Sequence, residues 1–334
     1  MQQYSYLFTP DIALPMLFID INSLLAFSLG AGVLALPAAV SSMGDVSRAL
    51  VPASVLLGFL GVLSAYSFYS IGRTCSEERV HSLEEAWEKI MGKDSAWMVP
   101  LSCFTITLSV ALIYSIVLGD FLSTLARATG VKGWLAFRQT SILAVTIAAL
   151  YPLCLLKSLT ALAPMSIIGV LSVLFTAMFM SVRALDGTYA VGGKYLSTLS
   201  DSFKPSFGRK ELNIYTPSTL VFTSMVSSAF LCHFCAPDFY HNLRANTLSR
   251  FKTLTVLGFS ATTLINTLMM SMGFLTFGGG SSGMVLNNYS SKDIGATFCR
   301  LLMCINLIGS YPFVFGAMKS SFISMSPLKG MSTT

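Results

Sequence analysis

FSLGAGVLALP, residues 27–37, places Gly30 and Gly32 on either side of Ala31 inside an apolar run that extends over residues 12–43. At 1.5 Å rise per residue the run is long enough to cross a hydrocarbon core of about 30 Å, with length left for tilt or a break. Glycine invites the backbone to leave the helix. Non-helical backbone at bilayer depth persists only where protein or a water-filled cavity satisfies its polar groups. The stretch therefore reads in one of two ways. Either the helix unwinds and the freed N–H groups of Ala31 and Gly32, backed by the positive end of the half-helix that follows, face a carboxylate, or small residues let a neighbouring helix pack closely.

The rest of the chain has the same character. Of 334 residues, 54% are apolar and 11% charged, against roughly 25% charged in an average soluble domain. Seven further apolar blocks follow, at residues 50–71, 96–125, 137–156, 162–182, 218–235, 253–277 and 294–318. The fold class is thus all-α: a polytopic membrane protein, read as a single transmembrane domain over residues 1–334. Residues 1–10 contain no Lys or Arg, so a cleaved signal peptide is not expected. The net charge of +6 is scattered through loops, which excludes a phosphate-tracking stripe and makes nucleic acid an unexpected partner. Lys and Arg divide equally between the two alternating sets of loops, so charge does not set orientation. Asn288-Tyr289-Ser290 is a glycosylation sequon, and a glycan there would put the loop after the seventh span outside the cytoplasm.

A second interruption is expected in the sixth span, at SSAFLCHFCAPDFY (residues 227–240), where Pro237 lacks an N–H and disfavours a helical Ala236. If the chain holds two five-helix repeats, the first and sixth spans are equivalent, and paired interruptions point to a binding site near the bilayer midplane. Between the second and third spans, SLEEAWEKIMG (residues 82–92) sets Leu83, Ala86, Trp87 and Ile90 at helical spacing, with Ser82 and Glu85 as a capping box. It reads as an amphipathic helix on the membrane surface, or alternatively one that docks a partner. The polar stretch 184–217, with Gly192-Gly193, Pro205 and Gly208, reads as an exposed, mobile excursion.

GAGVLALP followed by CHFCAPDFY, together with YSIVLGD (residues 114–120), GFLTFG (273–278) and IGSYPF (308–313), resembles the amino acid/auxin permease family of secondary transporters. The resemblance implies a leucine-transporter-type inverted-repeat fold, with about eight of the usual eleven helices here and an incomplete second repeat. It implies transport of neutral amino acids by alternating access, in a plasma membrane or a vacuolar/endolysosomal one, with no cofactor. The substrate backbone would lie near Leu29, Gly30, Ala31 and Gly32, with Ser28 adding a hydroxyl and Ser227, Ser228 and Phe230 lining the side-chain pocket.

The resemblance leaves proton or sodium as the coupling ion. Sodium-coupled members carry Asn one turn before the first glycine; Ala26 stands there and offers no side-chain oxygen to a hard cation, while Ser310 leaves one oxygen at the usual sodium position. Proton coupling requires an ionisable group, and Asp20, Asp120, His233 and Arg300 are the membrane-associated candidates. Their plainer roles are interface solvation for the two aspartates, a hydrogen-bonded helix position for His233, and snorkelling for Arg300 in preference to pairing with Asp293 or Asp120. Cys232-His233-Phe234-Cys235 is not read as a metal site, because structural zinc takes four ligands from a rigid shell. Six of the seven cysteines lie in apolar blocks, so no disulfide framework is expected. Hydrolase, zincin and phosphate-loop motifs are missing, which argues against an enzyme. The leading reading is a proton-coupled carrier; the alternative is a transport-inactive amino acid sensor or a regulator of a full-length relative.

Overall fold

The computed structural model describes residues 20–130, 133, 137–155, 163–215, 217–243 and 247–325. Residues 12–19 of the first expected span lie outside that set. The helices are α1 (Asp20–Ser28), then a 3₁₀ turn (Ala31–Ala35) leading into α2 (Leu36–Met43), α3 (Leu50–Glu78), α4 (Leu83–Met91) and α5 (Met98–Ala128). α6 (Arg138–Val145) runs through a π-helical turn (Thr146–Leu150) into α7 (Tyr151–Cys154). α8 (Ala163–Leu185), α9 (Pro217–Ala229), α10 (Ala236–Asn242), α11 (Leu248–Phe277) and α12 (Ile294–Met325) complete the described chain.

The apolar residues exceed what one core can bury, so they sort onto two faces of each long helix. Along α3, Val51, Val55, Phe59, Val62 and Tyr66 recur every three or four residues and are all at least 63% exposed. Ala53, Leu57, Gly61, Phe68, Gly72 and Cys75 take the opposite face and are buried. A helix apolar on both sides belongs in a membrane, one face to lipid and one to the bundle. Among the described residues six helices are long and apolar enough to cross a membrane, and α1 with Ala31–Met43, bent by 45°, makes a seventh. The protein is therefore a multi-pass membrane protein.

α12 packs along α5 and α8, while α11 packs along α3, α8 and α2, and α2 lies against α9. α11 follows the first span past its bend. A Cβ on Gly258 would sit 2.5 Å from Leu24, and one on Gly273 2.5 Å from Pro37, so only glycine lets the helices approach so closely. At the other end of α3, Ser82 caps α4 by accepting the Glu85 N–H at 3.1 Å. The Glu85 carboxylate reaches back to the N–H of His81 at 2.8 Å, one residue earlier than the capping box predicts.

One sequence expectation fails at the opposite end, and the conditional reading of the sequon loses its ground there. The stretch 184–217 is not a loose excursion but a docked clasp. The buried Asp45 carboxylate accepts the N–H groups of Arg209 (3.0 Å) and Lys210 (2.8 Å), and the Ser206 N–H donates to the Phe277 carbonyl at 3.1 Å. Arg183, near the end of α8, grips Asp293 with two hydrogen bonds of 2.8 and 2.9 Å, and the Tyr189 hydroxyl donates to the same carboxylate at 3.0 Å. Burial, then the Asp293 charge, hold the Tyr189 phenol above its ordinary range, so it stays a donor. The sequon is not an open one: Asn288 is fully buried, and its amide donates to the Gly280 carbonyl at 2.7 Å while accepting the Ser282 N–H at 2.9 Å.

Arg183→Met strands the Asp293 carboxylate, which is 1% exposed, and is expected to cost roughly 3–5 kcal/mol. The check is the thermal unfolding midpoint of the detergent-purified chain; an unchanged midpoint would show that the clasp is dispensable. Folded chain produced in a eukaryotic host is expected to keep its electrophoretic mobility after glycosidase treatment, because a glycan on Asn288 is incompatible with its buried, hydrogen-bonded place in the fold.

Candidate functional site

The first break begins where the last regular bond of α1, from the Leu29 N–H to the Leu25 carbonyl (2.8 Å), is made. Gly30 is extended, at φ −80° and ψ −159°, and the 3₁₀ turn starts at Ala31. A helix that starts afresh leaves its first N–H groups without a carbonyl one turn earlier, so Ala31 and Gly32 present donors in mid-span.

The second break falls inside the expected stretch 227–240, but ahead of Pro237. α9 ends at Ala229, residues 230–232 are non-helical, and a 3₁₀ turn (His233–Cys235) leads into α10. Pro237 sits in the first turn of α10, where a missing N–H removes no helical bond, and Ala236 is helical at φ −56° and ψ −41°. Proline starts the second half-helix; it does not end the first.

The two breaks touch. A Cβ on Gly32 would lie 3.1 Å from the Ala229 Cα and 3.4 Å from the Ser228 carbonyl oxygen, so the start of one half-helix rests on the end of the other. The other glycine is just as confined: a Cβ on Gly30 would meet the Tyr114 hydroxyl of α5 at 2.6 Å. α12 approaches from a further side, with the Asn306 amide donating to the Leu29 carbonyl at 3.5 Å.

The expected residues divide into those at the breaks and those apart from them. Leu29, Gly30, Ala31 and Gly32 form the first break. The Ser28 hydroxyl lies 2.9 Å from that of Thr262 on α11, which commits it to that helix. Ser227 and Ser228 are exposed in the last turn of α9, whereas Phe230 is fully buried, stacks on Phe259 at 6.4 Å and points toward Gly61 of α3. Nε2 of His233 lies 3.0 Å from the Ser64 carbonyl of α3; a carbonyl only accepts, so Nε2 carries the proton. Ser310 is half-buried on α12, one turn beyond Asn306. Asp20 is half-buried at the far end of α1, about 12 Å of helix from Ser28.

Asp120 pairs with Arg138 at 2.8 Å. Arg300 does not snorkel, and it pairs with no carboxylate among the described residues: it is 1% exposed, and its Nη2 donates to the carbonyls of Leu286 (2.7 Å) and Tyr289 (2.5 Å). Carbonyls of the α11–α12 loop hold it inside, close enough to replace water as its partners.

Three residues at the site escape a reading by sequence alone. Tyr114 falls within a quoted motif but carries no mark that separates it from other span aromatics, and Asn306 is one helical turn before Ser310. Asn266 is fully buried, and neither its amide nitrogen nor its amide oxygen has a hydrogen-bond partner among the described residues. It follows Thr262 by one turn on the face of α11 that meets Ser28, and precedes Gly273, which meets Pro37. That places Asn266 level with the first break. A polar amide in mid-span was the available signal.

Comparison with known proteins accords with this architecture. Residues 21–324 match the family described as transmembrane amino acid transporter protein. The chain is 25% identical to vacuolar amino acid transporter 2 of Saccharomyces cerevisiae, over 85% of this chain and 57% of that protein. It is 26% identical to solute carrier family 38 member 8 of Mus musculus, over 87% and 64%, and 24% identical to the putative sodium-coupled neutral amino acid transporter 11 of Danio rerio, over 85% and 60%. It thus spans roughly three-fifths of the length of each of these relatives. With a match that runs from α1 almost to the end of α12 and takes in both broken helices, the chain belongs to the transmembrane amino acid transporter family.

Proposed function

We propose that the chain carries neutral amino acids across a membrane by alternating access around its two broken helices, coupled to protons. The observation that carries the reading is the meeting of Gly32 with Ser228 and Ala229. The N-terminal end of a half-helix is partially positive and the C-terminal end partially negative. An amino acid is a zwitterion, so its carboxylate suits the N–H groups of Ala31 and Gly32 while its ammonium suits the carbonyls that end α9. Ser28, Leu29 and Gly30 complete the first wall, and Ser227, Ser228 and Phe230 bear no charge, which fits a neutral substrate. The unpartnered amide of Asn266 supports a polar occupant at this level, because leaving a buried amide unsatisfied costs about 1–3 kcal/mol.

Coupling to protons rests on Ala26, which gives sodium no side-chain oxygen one turn before Gly30, and on Asp20 and His233 as titratable groups along the broken helices. Ser310 is the residue through which sodium would act if it does. Relatives named for vacuolar transport and for sodium coupling support both the amino acid cargo and an ion, and they leave a plasma or a vacuolar membrane as the setting.

The test is uptake of labelled neutral amino acids into proteoliposomes holding the purified chain. Saturable uptake is expected, stimulated by an inward proton gradient and unchanged when choline replaces sodium. Gly32→Trp, which wedges an indole between the half-helices, is expected to abolish it while the protein still inserts. No saturable uptake by folded chain would overturn transport; uptake that needs sodium would overturn the proton.

A further inference from the structure

A cavity of about 350 Å³ lies beyond the break, between the last turns of α5, the start of α6, the 184–217 clasp and the α11–α12 loop. Its walls include Arg127, Arg138 and Arg300 but a single carboxylate, Asp120. Arg138 takes that carboxylate in a 2.8 Å ion pair. Arg127 bonds only within its own helix, to the carbonyl and hydroxyl of Ser123 at 3.2 and 3.3 Å, and has no ion pair among the described residues. Arg300 satisfies Nη2 with two carbonyls, yet its Nε and Nη1 have no partner among the described residues. The nearby Asp293 cannot serve it, being held by Arg183 and Tyr189. The cavity therefore carries a formal excess of two positive charges, with Arg127 and Arg138 at its exposed rim and Arg300 at its buried end, and its remaining polar wall holds the Asn287 amide and hydroxyls such as those of Thr124 and Ser291.

We propose that this cavity binds a monovalent anion, either chloride or the carboxylate of an amino acid on its way to the break. Arg300 is buried with no ion pair among the described residues, and Arg127 has none either, so a small anion in the cavity supplies the missing charge. The cavity also stands in line with the break. Asp120 is about 9 Å and Arg127 about 20 Å beyond Tyr114 along α5, and the 3₁₀ turn Val285–Asn287, whose Asn287 lines the cavity, packs on the turn Ala31–Ala35. An anion held here sits apart from the half-helix ends yet beside the element that carries them.

Equilibrium binding of radiolabelled chloride to the detergent-purified chain, without amino acid, tests the site. Saturable binding is expected, weakened about tenfold in Arg127→Gln, the loss of one charge-assisted contact, and retained in Gly32→Trp. Arg300→Gln is expected to abolish it, and should that variant not fold, Arg127→Gln carries the test. Displacement of chloride by acetate would assign the site to carboxylates as well. Acetate binding with the same Arg127 sensitivity but no chloride binding would assign it to carboxylates alone. Binding of neither anion, binding indifferent to Arg127→Gln, or binding lost in Gly32→Trp would overturn the proposal, the last because the anion would then sit at the break. Each of these results is independent of whether the chain transports anything.

Discussion

Backbone that leaves the helix inside a bilayer has no water to turn to, and the rest of this molecule is arranged around that constraint. Gly32 lies against the Ser228 carbonyl and the Ala229 backbone, so the two interrupted helices supply each other's surroundings. Tyr114 from α5, Asn306 from α12 and Thr262 from α11 close in on the same short stretch. A side chain at Gly30 would displace the Tyr114 hydroxyl, and one larger than a methyl at Gly32 would press on the backbone of Ser228 and Ala229. A broken helix is tolerable here because four neighbours enclose it, and it leaves a few donors and carbonyls turned inward where a zwitterion can use them.

Outside that centre the protein follows two different rules. Along the spans, apolar side chains serve lipid and bundle alike, as the two faces of α3 illustrate. At the loop end, where α2, α8 and α11 finish and α12 begins, cohesion comes from buried polar contacts: Asp45 with the backbone of Arg209 and Lys210, and Asp293 with Arg183 and Tyr189. Such contacts depend on geometry, and removing one partner leaves a charge stranded. The clasp thereby fixes the ends of helices whose apolar sides alone would let them slide.

Much of the fold was legible in the residues. Hydropathy marks the spans because lipid imposes the same demand on every turn, and Gly30, Gly32 and Pro237 signal interruptions because their effect on the backbone is local. Even so, the second break falls at residues 230–232, since a proline in the first turn of a helix is a start signal and the unwinding precedes it. Polarity and glycine content suggested a loose 184–217 segment. Its Tyr189 is 1% exposed, because composition reports what a segment can hydrogen-bond and not with what.

Taken alone, the sequence determined that this is an all-helical membrane protein and marked two spans where a break is possible, since periodicity and backbone preference act over a few neighbouring residues. Tertiary structure decided which of its polar side chains matter. Arg300 is held by loop carbonyls, Asn288 is buried and hydrogen-bonded, Asn266 has no hydrogen-bond partner among the described residues, and Tyr114 stands over Gly30. These outcomes depend on groups brought together from distant parts of the chain, and a burial cost or an unmet hydrogen bond exists only once the surroundings do.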